Sequence, residues 1–225
     1  MKAVMILCLT ALVLWTAMFG PTKAWLSFWP MMTLSSGLLA VSALVLQQKN
    51  RPEPTSIIPL PRLLQSVENL LAAPARGGFW MDLAVGLLSP LVLYAGFYIA
   101  YRIARHLFGF AAGQVEHIYQ LRDGTSPLPI ALLLALWIGP AEEIFWRGFV
   151  QKRLCCRYGI LVGFVIATAV YTLVHTASMN LMLIAAAALC GGFWGLLYAW
   201  RKRVWPAILS HAVWDVIIFV LYPIR

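Results

Sequence analysis

The sequence predicts an all-α membrane protein: a bundle of about seven transmembrane helices with one or two amphipathic helices on the membrane surface. Its composition supports this, because 62% of the 225 residues are hydrophobic and only 11% are charged, against about 25% charged in ordinary soluble domains. The apolar residues also form runs close to the roughly 20 residues that a helix needs to cross a bilayer. A soluble fold of this length could not bury so much apolar surface.

Seven apolar runs are long enough to be spans. They cover residues 3–19, 25–46, 79–101, 128–150, 160–178, 181–200 and 204–222. The first run follows Lys2 and has the length of a signal peptide, but no convincing small-residue cleavage site follows it. We therefore expect an uncleaved first helix.

Two segments between the runs are predicted to lie at the membrane interface. Residues 47–78 begin as a proline-rich extended linker. Apolar residues then recur at helical spacing, at Leu63, Leu64, Val67, Leu70 and Leu71. This spacing predicts a short amphipathic helix on the membrane surface. A second interfacial segment is predicted at residues 102–123.

The net charge of +9 reflects basic residues between the apolar runs, as in the cytoplasmic loops of membrane proteins. No basic stretch with interleaved aromatic residues indicates nucleic-acid binding. With seven spans, one side carries 11 of the 17 lysines and arginines, the other side carries five, and Arg147 lies inside a span. This bias predicts a cytoplasmic N-terminus and an external C-terminus.

The chain divides at residue 123 by the chemistry of its spans. Residues 1–123 contain three spans that are apolar and chemically plain, whereas residues 124–225 contain four spans that carry ionisable groups. These groups are Glu142, Glu143, Arg147, His175, His211 and Asp215. Ionisable side chains inside a membrane span are costly and usually functional. They need partners, and the obvious partners are one another.

The spacing of the first three groups predicts different surroundings for two adjacent glutamates. Glu143 and Arg147 are four residues apart, so they share a helix face, and the acid is N-terminal, the better orientation for an ion pair. Glu142 lies about 100° around the helix from Glu143. It is therefore free to face another helix.

The depths of the groups follow from helix arithmetic. The fourth and fifth spans form an antiparallel hairpin near residues 157–159, and the midpoint of positions 142 and 175 falls in this turn. Glu142 and His175 are therefore expected at similar depth on neighbouring helices, roughly 25 Å from the turn. His211 lies only about 13 Å from its own turn near Lys202. The two turns need not lie at equal depth, but this mismatch argues against a contact of His211 with the other two.

These groups suit hydrolysis. A carboxylate in a low-dielectric site can act as a general base, so Glu142 together with His175 could activate a water molecule. His211 and Asp215, four residues apart, could aim hydrogen bonds at a developing oxyanion. The sequence has neither Gly-x-Ser-x-Gly nor His-Glu-x-x-His, so serine hydrolases and zincins lack their motifs.

Three motifs resemble those of the CPBP (CAAX-processing and bacteriocin-processing, or Abi) family of intramembrane glutamic endopeptidases. Residues 142–147 match its Glu-Glu-x-x-x-Arg motif. Residues 171–175 are similar to its Phe-x-x-x-His motif, with Tyr171 in place of phenylalanine. Residues 211–215 resemble its His-x-x-x-Asn/Asp motif. The resemblance covers roughly residues 128–222, under half of the chain.

The resemblance implies a role for each matched residue. It identifies Glu142 as the glutamate that activates water and His175 as the histidine that works with it. His211 and Asp215 correspond to the pair that stabilises the oxyanion. An ionised Asp215 would repel an oxyanion, which makes its protonation state part of the question.

The resemblance also implies that Glu143 and Arg147 support the site without touching the substrate. We expect no cofactor, because a mechanism based on glutamate needs no ligand set. A zinc site formed by Glu142, His175 and His211 is the alternative.

The resulting hypothesis is an intramembrane endopeptidase that cleaves a membrane-associated or lipid-proximal protein. Its partners would be membrane lipid and a protein or peptide substrate; family members process prenylated C-terminal motifs, bacteriocins or membrane-anchored regulators. The short chain without targeting signals is similar to prokaryotic members, so we expect a multi-pass protein of a prokaryotic cytoplasmic membrane. The rival is a non-catalytic immunity or scaffold protein or a proton-coupled transporter, since buried acid–histidine sets also serve proton relays.

Overall fold

The computed structural model describes residues 1–19, 27–48, 78–122 and 124–225. Most of the described residues lie in helices, and no strand occurs among them. The helices are α1 (Lys2–Phe19), α2 (Phe28–Gln48), α3 (Gly78–Leu107), α4 (Ala111–Tyr119), α5 (Pro127–Tyr158), α6 (Ile160–Ser178), α7 (Leu181–Arg201) and α8 (Trp205–Leu221).

Six of these helices, α1, α2, α3, α5, α6 and α7, are long and apolar enough to cross a membrane, and α8 is a shorter apolar helix. The prediction of an all-α multi-pass protein with about seven spans is confirmed. Large aliphatic side chains cover the outside of the bundle; Val92, Leu136 and Leu161 are 67%, 71% and 72% exposed. Lipid acyl chains rather than water would cover such a surface.

The end of the third span differs from the prediction. α3 continues to Leu107, beyond the predicted end at residue 101, and carries Arg105 and His106 in its last turn, where positive charge complements the helix dipole. The predicted interfacial segment 102–123 thus contains the end of α3 and the nine-residue helix α4. The predicted amphipathic helix at residues 63–71 lies outside the described residues.

One hydrophobic core includes both regions of the chain. Ala11 and Trp15 of α1 belong to the same buried cluster as Phe149 of α5 and Trp194 of α7. The early helices therefore pack directly against the helices that carry the ionisable groups.

A tight hairpin joins α5 and α6. Gly159 occupies the turn with φ 86°, a backbone conformation that glycine adopts without strain. A Cβ atom on Gly163 would collide with the backbone of Leu154 and Cys155, so only glycine allows α6 to approach α5 this closely. This hairpin makes α5 and α6 antiparallel neighbours, as predicted for the fourth and fifth spans.

A buried ion cluster joins the start of α3 to the connection between α7 and α8. Asp82 is fully buried, and its Oδ1 contacts Nε and Nη2 of Arg201 at 2.6 and 2.5 Å. Its Oδ2 accepts a hydrogen bond of 2.8 Å from Nη1 of Arg203. The sequence count treats both arginines as loop charges, but Arg201 is only 2% exposed and holds two helices together.

We predict that Asp82→Asn lowers the free energy of unfolding by about 3–5 kcal/mol, because the buried guanidinium of Arg201 loses its charged partner. The measurement is chemical denaturation in detergent micelles, followed by circular dichroism.

The matched control is Glu116→Gln, which breaks the half-exposed ion pair between Glu116 and Arg225 at 3.8 Å. Its cost should stay below about 1 kcal/mol. Equal effects of the two substitutions would show that the Asp82 cluster adds no special stability.

Candidate active site

Two π-helical stretches, Leu134–Ile138 and Trp146–Gln151, flank the acidic segment of α5. Pro140 explains the first, because proline has no N–H and its ring excludes the carbonyl four residues earlier. The N–H of Gly139 bonds instead to the carbonyl of Leu134, five residues earlier. Such wide turns are frequent at functional sites.

Glu143 is the fully buried centre of an ionic network. Its Oε1 accepts a hydrogen bond of 2.8 Å from Nη1 of Arg147, four residues along the same helix. The same oxygen lies 2.8 Å from Nδ1 of His211 on α8, and since a carboxylate oxygen accepts, Nδ1 donates. The predicted ion pair between Glu143 and Arg147 is therefore present and also binds α8.

The guanidinium of Arg147 fastens α5 to α6 and α7. Its Nη2 donates to the backbone carbonyls of Cys190 and Gly191 at 3.4 and 3.3 Å. Its Cζ lies 5.0 Å from the ring centre of Tyr171 and 5.6 Å from that of Trp194, within range of a cation–π attraction. Arg147 thus has its charge compensated without reaching Glu142.

Glu142 faces α6, as its position around the helix predicts. Its Oε2 accepts a hydrogen bond of 3.1 Å from the Tyr171 hydroxyl, and the residue is 4% exposed. The hydroxyl that distinguishes tyrosine from the phenylalanine of the family motif therefore contacts the candidate base directly.

His175 is held by a hydrogen bond at each ring nitrogen. Nδ1 lies 2.7 Å from the backbone carbonyl oxygen of Tyr171, and Nε2 receives the indole N–H of Trp15 at 3.3 Å. A carbonyl only accepts and an indole only donates. Nδ1 therefore carries the hydrogen, Nε2 carries a lone pair, and the ring is neutral.

His211 contacts an aromatic ring on one face and a second carboxyl group through Nε2. Its ring stacks on Trp194 with centroids 3.7 Å apart and an angle of 18°, and its Nε2 lies 3.5 Å from Oδ2 of Asp215. The Trp194 indole in turn donates to the Ser210 hydroxyl at 3.2 Å. These contacts fix the ring that connects Glu143 to Asp215.

The short distance of His211 from its own turn does not keep it from the site. Val204, just before α8, packs in one small apolar cluster with Ile144 and Ile208. α8 therefore begins close to the level of Ile144, and not at the level of the α5–α6 turn. Counting residues from two turns at different depths could not reveal this.

The four residues assigned by the motifs to chemistry line one cavity of about 460 Å³: Glu142, His175, His211 and Asp215. Aromatic and aliphatic side chains make up most of the remaining wall. Glu143 and Arg147 lie behind this wall. The arrangement offers a carboxylate, a neutral imidazole and an acid–imidazole pair to one reactant in an apolar chamber.

Within that cavity, no direct hydrogen bond joins the described side chains of Glu142 and His175. Tyr171 lies between them, since its hydroxyl binds Glu142 and its carbonyl binds His175. Among the described residues, no group of three histidine, cysteine or acidic side chains is placed to hold a metal ion. The alternative of a zinc site at Glu142, His175 and His211 stays a prediction.

The description of the first three spans as chemically plain is wrong for two residues near the site. Trp15 of α1 binds His175, and Ser89 of α3 donates to the Ser210 hydroxyl at 2.9 Å. Both occur in apolar helices where a tryptophan or serine is ordinary. Only their contacts with His175 and Ser210 in the folded protein distinguish them from the other residues of these helices.

The comparison with known proteins agrees with the motifs. Residues 124–217 match the family model of Rce1-like type II CAAX prenyl endopeptidases. No curated protein and no solved structure gives a significant match. The matched region contains all three motifs, and the resemblance to the CPBP family is confirmed for this part of the chain.

We predict stability effects of very different size for two adjacent glutamates. Glu143→Gln should lower the free energy of unfolding by about 3–5 kcal/mol, because Arg147 then lies buried without a charged partner. Glu142→Gln should cost less than about 1 kcal/mol, because the amide oxygen can still accept the Tyr171 hydroxyl.

Thermal unfolding of both variants in the same detergent gives the comparison. Equal stabilities would mean that the network around Glu143 does not hold the helices together.

Proposed function

Since residues 124–217 form an Rce1-like domain of the CPBP family in a multi-pass membrane protein, we propose that the chain is an intramembrane endopeptidase. It hydrolyses a peptide bond of a membrane-associated protein, with a water molecule activated by Glu142 and His175. The observation that carries this proposal is the convergence of Glu142, His175, His211 and Asp215 on one cavity in an apolar bundle. Buried polar groups of this kind are retained in membranes for function.

In the proposed reaction, Glu142 is the general base. Its carboxylate takes a proton from water while the water oxygen bonds to the carbonyl carbon of the substrate. His175 accepts a hydrogen bond from the same water through the lone pair of Nε2 and so orients it. Glu142 then returns the proton to the leaving nitrogen as the carbon–nitrogen bond breaks.

The charges of the network support a role for Asp215 as a donor. Arg147 neutralises Glu143, which leaves Glu142, Asp215 and His211 to balance one another. Two protons shared among these three groups make the set neutral, which a low-dielectric site strongly favours. One of them on Asp215 allows this residue to donate to the oxyanion, whereas an ionised Asp215 would repel it.

His211 positions this donor and helps to stabilise the oxyanion. Glu143 holds Nδ1 of His211 at 2.8 Å, and Trp194 stacks on its ring, so Nε2 stays directed toward Asp215. Glu143 and Arg147 act as positioning residues behind the wall. No step requires a metal ion.

The walls of the cavity suit a substrate that is apolar next to the scissile bond. Phe97, Phe108 and Met182 contribute to the apolar part of the wall. The name of the matched family, a CAAX prenyl endopeptidase, suggests a lipid-modified peptide as the first probe. We propose this class of apolar, lipid-proximal substrate for the chain.

We also propose that the N-terminus faces the cytoplasm, as the basic residues predict. The cavity extends to Phe108, Phe110 and Leu181, which are 49%, 43% and 57% exposed. These residues lie at the end of α3 and the start of α7, on the side away from the α5–α6 turn. In the proposed orientation, the substrate reaches the site from the outer side.

We predict that Glu142→Gln reduces cleavage by at least about a hundredfold while the protein stays folded, because the general base is lost. The measurement compares new protein N-termini in membrane and secreted fractions of cells with either form. A farnesylated Cys-a-a-X peptide with purified protein is the direct assay.

The control is Tyr171→Phe, which removes only the hydroxyl and restores the residue of the family motif, and should retain cleavage within severalfold. A chelator should leave the rate unchanged. Full cleavage by the Glu142→Gln variant would refute the mechanism, and a phenotype that survives this substitution would favour a scaffold.

The orientation is tested with single cysteines. Cys156 is exposed near the α5–α6 turn, and Ser126→Cys marks the opposite side in a chain whose other cysteines are replaced by serine. In intact cells, a membrane-impermeant maleimide should label position 126 and spare Cys156 until the cells are permeabilised. The reverse pattern would invert the proposed orientation.

A further inference from the structure

Trp15 contributes to the site from outside the matched region 124–217. The residue is 1% exposed and lines the cavity. Its indole nitrogen lies 3.3 Å from Nε2 of His175, and the two rings meet edge to face, with centroids 6.0 Å apart and an angle of 72°.

The packing of α1 directs Trp15 toward His175. The buried residues of α1 follow one helical stripe: Val4, Leu7, Ala11, Trp15 and Met18. Intervals of three and four residues place them on one face. The indole therefore points into the bundle because the whole stripe is buried there.

The hydrogen bonds of His175 leave only one assignment of its hydrogens. The Trp15 indole can only donate, so Nε2 must keep its lone pair; the Tyr171 carbonyl can only accept, so Nδ1 must carry the hydrogen. Of the two bonds, the one to Tyr171 is short, at 2.7 Å. Together they select a neutral ring with a single tautomer and orientation.

We propose that Trp15 is a positioning residue for His175. It holds the ring in the tautomer whose Nε2 accepts a hydrogen bond at the cavity wall, so that an incoming water meets a preoriented acceptor. This role rests on the proposed peptidase function for its effect on rate, but the contact itself does not depend on that function.

The bond to Trp15 is weak enough to yield to water. Its 3.3 Å length exceeds the usual value of about 2.9–3.0 Å. A water held by Glu142 can therefore replace the indole as the donor to the Nε2 lone pair, so that a donor at Nε2 and the Tyr171 carbonyl at Nδ1 together keep the tautomer. After the reaction, the indole regains Nε2 and resets the ring.

The decisive experiment records two-bond ¹H–¹⁵N spectra of the purified chain labelled with ¹⁵N-histidine in detergent micelles. The signal of His175 is assigned as the one missing from a His175→Gln variant. The wild type should show one neutral tautomer with the hydrogen on Nδ1. Trp15→Phe should show a mixture of tautomers or a protonated ring.

A second variant separates the hydrogen bond from the shape of the side chain. Replacing Trp15 by 3-benzothienylalanine keeps the bicyclic ring but puts sulfur in place of the indole N–H. It should reproduce the spectrum of Trp15→Phe. An unchanged His175 signal in this isostere, or a wild type with the hydrogen on Nε2, would overturn the proposal.

Kinetics with the farnesylated peptide add an independent readout. Trp15→Phe should lower kcat on the order of tenfold, the effect of one lost hydrogen bond, and leave KM unchanged. In a His175→Gln background, the same substitution should have no further effect. An equal loss in that background would assign Trp15 a merely structural role.

The matched control is Trp137→Phe. It removes a comparable interhelical bond, from the indole to the Thr33 carbonyl at 3.0 Å, away from the cavity, so the His175 spectrum and the rate should not change. If the peptide is not cleaved even by wild type, the peptidase proposal fails on that count, while the spectra still decide the role of Trp15.

Discussion

The candidate site depends on one buried carboxylate, that of Glu143, which contacts both Arg147 and His211. Glu143 binds Arg147 on its own helix and His211 on α8, each at 2.8 Å. In a low-dielectric bundle an unpaired charge costs far more than an unpaired polar group in water. The helices therefore pack so that this charge is compensated, and the neighbouring Glu142 is left to face the cavity.

From this centre the site has two layers. Arg147 and Glu143 connect α5 to α7 and α8 behind the cavity wall, whereas Glu142, His175, His211 and Asp215 form the wall itself. The separation gives two adjacent glutamates of one sequence motif different surroundings. Glu143 pairs with Arg147 and His211, whereas Glu142 lines the cavity.

The site also extends beyond the four helices with motifs. Trp15 reaches His175 from α1, and Tyr171 binds both Glu142 and His175 through different atoms. At the far end, Asp82 of α3 joins Arg201 and Arg203. The N-terminal helices thus complete the polar interior in addition to crossing the membrane, and one hydrophobic core unites them with the matched region.

The sequence by itself determined the membrane class, nearly all the helices that the structure describes, and the pairing of Glu143 with Arg147, because composition and helical periodicity are local properties. It also determined the common depth of Glu142 and His175, since a single tight turn joins their helices. Only the tertiary structure decided that His211 reaches Glu143 and that Trp15 and Asp82 carry polar contacts. These outcomes depend on the depth and rotation of helices distant in sequence, which packing sets and no local pattern encodes.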